Sequence, residues 1–353
     1  MTVVLVMAAA LWGIGIAMKA PYSARFTMIA VLLAAVLLVQ LVLPDGHPLR
    51  EATGGDPRLW GLLIGLGLVV WAYSLVFRRI KARARRGQAR DEAPQAGSFS
   101  ETELERYARH IVLREIGGPG QKALKEARVL VIGAGGLGAP ALQYLAAAGV
   151  GTIGVIDDDV VDNSNLQRQV IHTDARIGMP KVHSAAEAME ALNPYVTVRP
   201  YQRRLSEEIA TDLFTEYDLV LDGSDNFDTR YLVNRTCAAL GIPLIAAALT
   251  QWEGQISFYD PAKGTPCYEC IFPQRPAPGL VPSCAEAGVL GPLPGVIGAM
   301  MAVEAVKAIT GAGEGLRGRM MIHDALYAET RVMALKPKAD CPICGGDREG
   351  QTT

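Results

Sequence analysis

Three cations and one carboxylate are the residues of this chain that most invite a reaction: Arg109, Arg168, Lys181 and Asp225. Cations neutralise a pyrophosphate leaving group, and a carboxylate can hold a magnesium ion that bridges phosphate oxygens. Such a set fits triphosphate chemistry better than hydride transfer, which does not need it. Taken singly, each is an ordinary surface charge, so the expectation rests on their common placement. A second group consists of thiols. Cys267/Cys270 and Cys341/Cys344 form two CxxC pairs, each able to grip one side of a tetrahedral four-thiolate zinc site. One pair alone could be a redox motif; two in a reducing compartment favour zinc. Four thiolates leave no open coordination position, so the expected role is structural, stapling the C-terminal part to the body. Cys284 stands apart in a Pro/Gly-rich loop, where it is either an exposed nucleophile or a passive thiol. Cys237 reads as core, and His110, His172 and His183 as structural.

The scaffold that must position these groups is organised around residues 127–159, ARVLVIGAGGLGAPALQYLAAAGVGTIGVIDDD. A short apolar run meets Gly133, Gly135, Gly136 and Gly138, an alanine-rich helical segment follows, and a second apolar run ends at Asp157. Strand, glycine turn, helix, strand and acid form a nucleotide-holding unit. The glycines let the backbone approach phosphates, the helix offers free N–H groups, and Asp157 is placed to accept from a ribose. An NAD-binding fold shows the same pattern, so the nucleotide stays open at this point. Further on, apolar runs near 196–200, 218–221 and 243–247 alternate with helical stretches, including one at 180–192 and one capped by Ser100 and Glu103. The expected class is α/β: a doubly wound, Rossmann-like, mostly parallel sheet covered on both faces, with the glycine turn, Asp157 and Asp225 at the carboxyl ends of its strands.

The first 80 residues have a different composition. Apolar runs near 3–18, 26–43 and 59–77 are free of charge except at their ends; the last has full bilayer-spanning length and the others are slightly short. A signal peptide is the alternative for the first run, but it lacks a basic leader. Arg78, Arg79, Lys81, Arg83, Arg85 and Arg86 follow the third run, so the positive-inside rule gives about three spans with the N-terminus outside. The expectation is a multi-pass anchor at 1–80 in the cell inner membrane and a basic, flexible linker at 81–98. The catalytic domain, 99–346, then lies in the cytoplasm, followed by a disordered tail at 347–353. Lys and Arg number 34 against 36 Asp and Glu, so the chain lacks the basic excess that nucleic acid would select.

GAGGLG, DNSNLQRQ, MPKVHSA, LDGSDN, the paired CxxC motifs and SCAEAGVLGPLPG together resemble the ubiquitin-activating-enzyme superfamily. The similarity is to its ThiF/MoeB/HesA branch, with the molybdopterin-synthase adenylyltransferases nearest, and it runs from about 102 to 345. It implies ATP-dependent adenylation of the C-terminal glycine of a small ubiquitin-like sulfur carrier ending in Gly-Gly, with release of pyrophosphate. It further implies ATP contacts at Gly135, Asp157, Ser164, Asn165, Leu166, Gln167, Arg168, Lys181, Asp225 and Asn226, with Asp225 as magnesium ligand. Arg109 would reach the phosphates of a partner subunit, making a homodimer obligatory, and Cys284 matches the position that forms a carrier adduct in some relatives. No rhodanese-like domain follows Cys344, so a separate sulfur donor is expected, such as a cysteine desulfurase or rhodanese. Molybdopterin biosynthesis is the expected pathway. The alternatives are thiamine biosynthesis by the same chemistry, or a membrane-tethered nucleotide-sensing module.

Overall fold

The computed structural model describes residues 2–18, 20–54, 56, 58, 60–62, 65, 67, 69, 73, 76–77, 99–276 and 287–345. The chain divides into two compact units, Met1–Ala93 and Pro94–Thr353. In the first, α1 (Thr2–Ala17) and α2 (Tyr22–Val42) precede a short α3 (Pro48–Thr53). Val4, Val36 and Trp60 form its small core, and most other apolar side chains of α1 and α2 are exposed. The 21 residues of α2 are long and apolar enough to cross a membrane, whereas α1 has only 16. The expected three spans therefore reduce to one of sufficient length among the described residues of this unit. The third run, 59–77, is described only in part, and the basic linker and the C-terminal tail lie outside the described residues.

The second unit opens with α4 (Glu101–Ile111) and α5 (Gly117–Glu126). Ser100 caps α4 in a reciprocal box with Glu103, as the spacing predicts. Then β1 (Arg128–Ile132), α6 (Gly138–Ala148), β2 (Thr152–Ile156), α7 (Lys181–Leu192) and β3 (Thr197–Tyr201) alternate. They are followed by α8 (Glu207–Phe214), β4 (Leu219–Asp222), α9 (Phe227–Leu240), β5 (Leu244–Leu249) and β6 (Glu253–Tyr259). The last elements are α10 (Tyr268–Ile271), α11 (Pro292–Thr310), β7 (Arg319–Asp324) and β8 (Glu329–Ala334). Pro180 caps α7 rather than occupying its first turn.

One sheet of order β3-β2-β1-β4-β5-β6-β7-β8 carries the unit. Strands β1 to β5 pair in parallel, and β5 to β8 antiparallel. Alternation of side chains across the pleat makes two cores. Val129, Val131, Ile153, Val155 and Leu221 pack with α6, α7 and α11 on one face; Leu130, Ile132, Val220 and Leu244 pack with α8 and α9 on the other. Both faces of the parallel part are thus covered, while every residue of β8 is exposed. The chain winds from β1 outward to β3 and then returns to β4 on the other side of β1. That reversal opens a crevice beyond the carboxyl ends of β1 and β4. The unit's first described residues lie at the opposite rim. The Phe99 ring meets Tyr107, whose hydroxyl accepts from Asn193 Nδ2, just past the carboxyl end of α7.

Candidate active site

Two turns meet in the crevice. Gly133 leaves β1 with φ of 92°, a left-handed conformation that a side chain would strain. A Cβ on Gly138 would stand 1.8 Å from the Gly133 carbonyl oxygen, so the first turn of α6 closes directly over the end of the strand. The second turn, Asp222 to Asn226, comes close as well: a Cβ on Gly133 would lie 3.3 Å from the Gly223 carbonyl oxygen. The amino end of α6 receives no side-chain cap, but Ala139 already donates to the Gly135 carbonyl at 2.9 Å and Pro140 has no N–H, so it is the turn from Gly135 to Gly138 that faces an anion with backbone N–H groups. Gly135 differs from its neighbours, since a Cβ there would come no closer than 3.7 Å to Gln169 Nε2. Gly136 backs onto Pro294 of α11.

The side chains expected at this rim fall as follows. Asp157, at the end of β2, accepts from the Ala134 N–H at 2.7 Å and from the Asp159 N–H at 2.9 Å. Burial raises its pKa against the opposing effects of Lys181 and those two N–H donors. Ser164 and Asn165 form a 3-10 turn capped by Asp162, and Leu166 follows it. Arg168 donates to the Ser164 carbonyl at 3.0 Å, with Cδ 4.0 Å from the place of a Gly136 Cβ. Gln167 packs on Gly291, at the start of α11. Lys181 opens α7, nearly sequestered, and pairs with Asp159 at 2.6 Å. Asp225 is exposed at the tip of the second turn, and the Asn226 side chain caps α9 by accepting from the Thr229 N–H.

Arg109 does not join them. It lies exposed on the last turn of α4, a helix whose Arg106 donates to the Leu192 carbonyl and whose Tyr107 covers Gly149. Both contacts are at the amino rim of the sheet, the far side from the glycine turn. Placement of the four charges at one rim thus holds for three of them within one chain. Cys284 lies outside the described residues.

Several residues shape the crevice without having been expected there. The His172 ring bridges the Ala134 carbonyl, 3.0 Å from Nε2, and Ser184 Oγ, 2.9 Å from Nδ1. The Ala134 peptide is therefore held at both ends, by Asp157 and by His172. Asp222 accepts from the Ser224 N–H, and buried Arg230 donates to the Ser224 carbonyl. None of this is visible in spacing alone, because each contact spans distant segments or lies within the turn itself.

Beside α9, where Asn234 accepts from the Tyr268 N–H, the four expected thiols come together. Cys267, Cys270, Cys341 and Cys344 place their sulfurs within 4.8 Å of one another. Three separations are 3.9, 3.6 and 3.3 Å, against about 3.8 Å for the edge of a tetrahedral zinc–thiolate site. Three of the four are buried, and burial pushes the Cys267 thiol up. Thiolates in such a place need a cation to compensate them, so the donor set fits zinc. Cys237 is buried in α9, as expected of a core residue.

Residues 107–343 match the model of the ThiF family. The chain is 48% identical over 248 residues to the SAMP-activating enzyme E1 of Haloferax volcanii, covering 70% of this chain and 91% of that protein. It is also 48% identical over 253 residues to the sulfur carrier protein adenylyltransferase of Thermus thermophilus, covering 70% and 93%. Among solved structures, E. coli MccB with ATP superposes with a TM-score of 0.60 at 25% identity, over 71% of this chain and 77% of that one.

Proposed function

The chain belongs to the ThiF family, and on that premise we propose that it is an adenylyltransferase acting on the C-terminal glycine of a small ubiquitin-like sulfur carrier. The observation that carries this reading is the meeting of the two turns between β1 and β4, with Arg168, Lys181 and Asp225 at that rim. Phosphates approach the backbone N–H groups of the turn from Gly135 to Gly138, and Asp157 faces the ribose.

The carrier carboxylate, with a pKa near 3.5, is ionised at neutral pH, so no general base is needed. One of its oxygens bonds to the α-phosphorus. The bond from that phosphorus to the α–β bridging oxygen breaks, and pyrophosphate leaves with the electron pair. The protein supplies in-line positioning and neutralises the charge on the departing group through Arg168 and Lys181. Asp225 would hold magnesium, which when bound spreads charge over the phosphate oxygens. In this proposal Asn226 keeps the Asp225 turn in register through its cap on α9. Arg109, remote from its own crevice, serves the crevice of a second copy, which makes the working form a homodimer.

The four thiolates hold a structural zinc. Cys284 is the residue we assign to a carrier adduct, and a separate sulfur donor, a cysteine desulfurase or rhodanese, follows in the scheme. The pathway we favour is molybdopterin biosynthesis, with thiamine biosynthesis as the alternative use of the same chemistry. Residues 1–80 anchor the chain in the cell inner membrane through at least α2, with the catalytic unit in the cytoplasm. The length of α2 and the arginines at 78–86 support that arrangement.

ATP–pyrophosphate exchange tests the central reading. Exchange dependent on a carrier ending in Gly-Gly is the expected result. Tight ATP binding with no exchange for any such carrier would favour a nucleotide-sensing module instead.

A further inference from the structure

We propose that Asp159 is a positioning residue that holds Lys181 in reserve and gives it up when a triphosphate binds. The proposal rests on the adenylation reading, because it supposes a polyphosphate at this rim. Lys181 sits at the first position of α7, where the positive end of the helix dipole disfavours an ammonium. Its side chain is 7% exposed, so water cannot solvate it fully. Residue 159 holds it at two points: the Lys181 N–H donates to the Asp159 carbonyl at 2.9 Å, and Nζ donates to Oδ2 at 2.6 Å. An isolated bridge between Val160 and Pro180 joins the same two segments.

Two other acids lie nearby: both Asp157 oxygens accept backbone N–H groups, and between Asp158 and Asp159 it is Asp159 that pairs with the ammonium. Asp159 is the direct counter-ion of Lys181 among the described residues, and at 65% exposure it lies at the solvent edge, where it can turn away. A polyphosphate at the glycine turn competes with Asp159 for one ammonium. The pair therefore opposes binding of ATP, and it reforms as pyrophosphate departs. In the free protein it keeps the ammonium at the height of the turn.

The test is calorimetric titration of the full chain, in detergent, with ATP, pyrophosphate and adenosine. Asp159→Asn keeps the shape and removes the charge. It is expected to lower the Kd for ATP and pyrophosphate by about threefold to tenfold while leaving that for adenosine unchanged. Asp159→Ser is a second uncharged variant expected to behave alike, and Asp159→Glu should return the Kd to within about twofold of the starting protein. In a Lys181→Gln background, Asp159→Asn should have no effect on the Kd. Weaker or unaltered ATP binding in the uncharged variants, at an unchanged melting temperature, would overturn the proposal. So would equal tightening in the Lys181→Gln background. Failure of the unsubstituted chain to bind ATP would overturn both this proposal and the adenylation reading.

Discussion

Asp225 and His172 serve the crevice in contrasting ways, one at its solvent edge and one beneath its floor. Asp225 is exposed, so Asp225→Ala should fold normally. Loss of exchange activity by about two orders of magnitude or more is expected, since magnesium would lose its protein ligand; near-normal exchange would exclude that role. His172 is buried against Ala134 and Ser184, and burial lowers its pKa, assisted by Lys181 and Arg176 and opposed by the Ala134 carbonyl. The unfolded chain takes a proton on this histidine near pH 6.5, while the folded chain waits for lower pH. Below that point the unfolded state binds more protons, so stability falls with acidification, by up to about 1.4 kcal/mol per pH unit from this group. Urea midpoints at pH 7.5 and 5.5 should therefore differ less in His172→Gln than in the unsubstituted protein. An equal difference would remove His172 from the account. At this scale the sequence disclosed which residues carry charge but not which are already paired. Lys181 and Asp159 are 22 positions apart and meet only because a loop is folded against the start of a helix. A histidine under a glycine turn leaves no pattern at all.

Elements were more legible than contacts. Short apolar runs punctuated by glycine, then by alanine-rich helical segments, specify β1, α6 and β2 almost by themselves, because period and turn chemistry agree. The carboxyl ends of β1 and β4 follow once the alternation is seen. Strand order does not, since nothing local says that β4 returns beside β1, and nothing in the spacing of Arg109 says that α4 lies at the rim opposite Arg168, Lys181 and Asp225. The glycines of the turn divide by function in a way that experiment can separate. Gly138→Ala puts a methyl into the Gly133 carbonyl and should cost more than about 3 kcal/mol or prevent folding. Gly135→Ala meets only ordinary contact, so melting should hardly change while the KM for ATP rises about tenfold, the methyl standing where phosphate approaches. An unchanged KM would move the phosphates elsewhere. Near the C-terminus the paired cysteines were legible because two-residue spacing within each pair is itself the geometry. Metal analysis should find about one zinc per chain, and a stably folded protein without it would refute the staple.

For the whole molecule, composition sets the apolar first 80 residues apart from the rest, and the structure divides at Ala93. Composition does not set the number of crossings, because 16 residues in α1 fall short of the length that 21 in α2 reach. Full-length protein is expected in the membrane pellet after high-speed centrifugation and solubilised only by detergent; recovery in the supernatant would contradict the anchor. The position of Phe99, packed on Tyr107 beyond the carboxyl end of α7, gives this arrangement a practical meaning. The catalytic unit thus takes up its incoming chain at the rim opposite its crevice, so the length of the leash at 81–98 does not enter the geometry at which ATP and carrier meet. Altering its length should change the address at which activated carrier is produced and leave the pace of production alone.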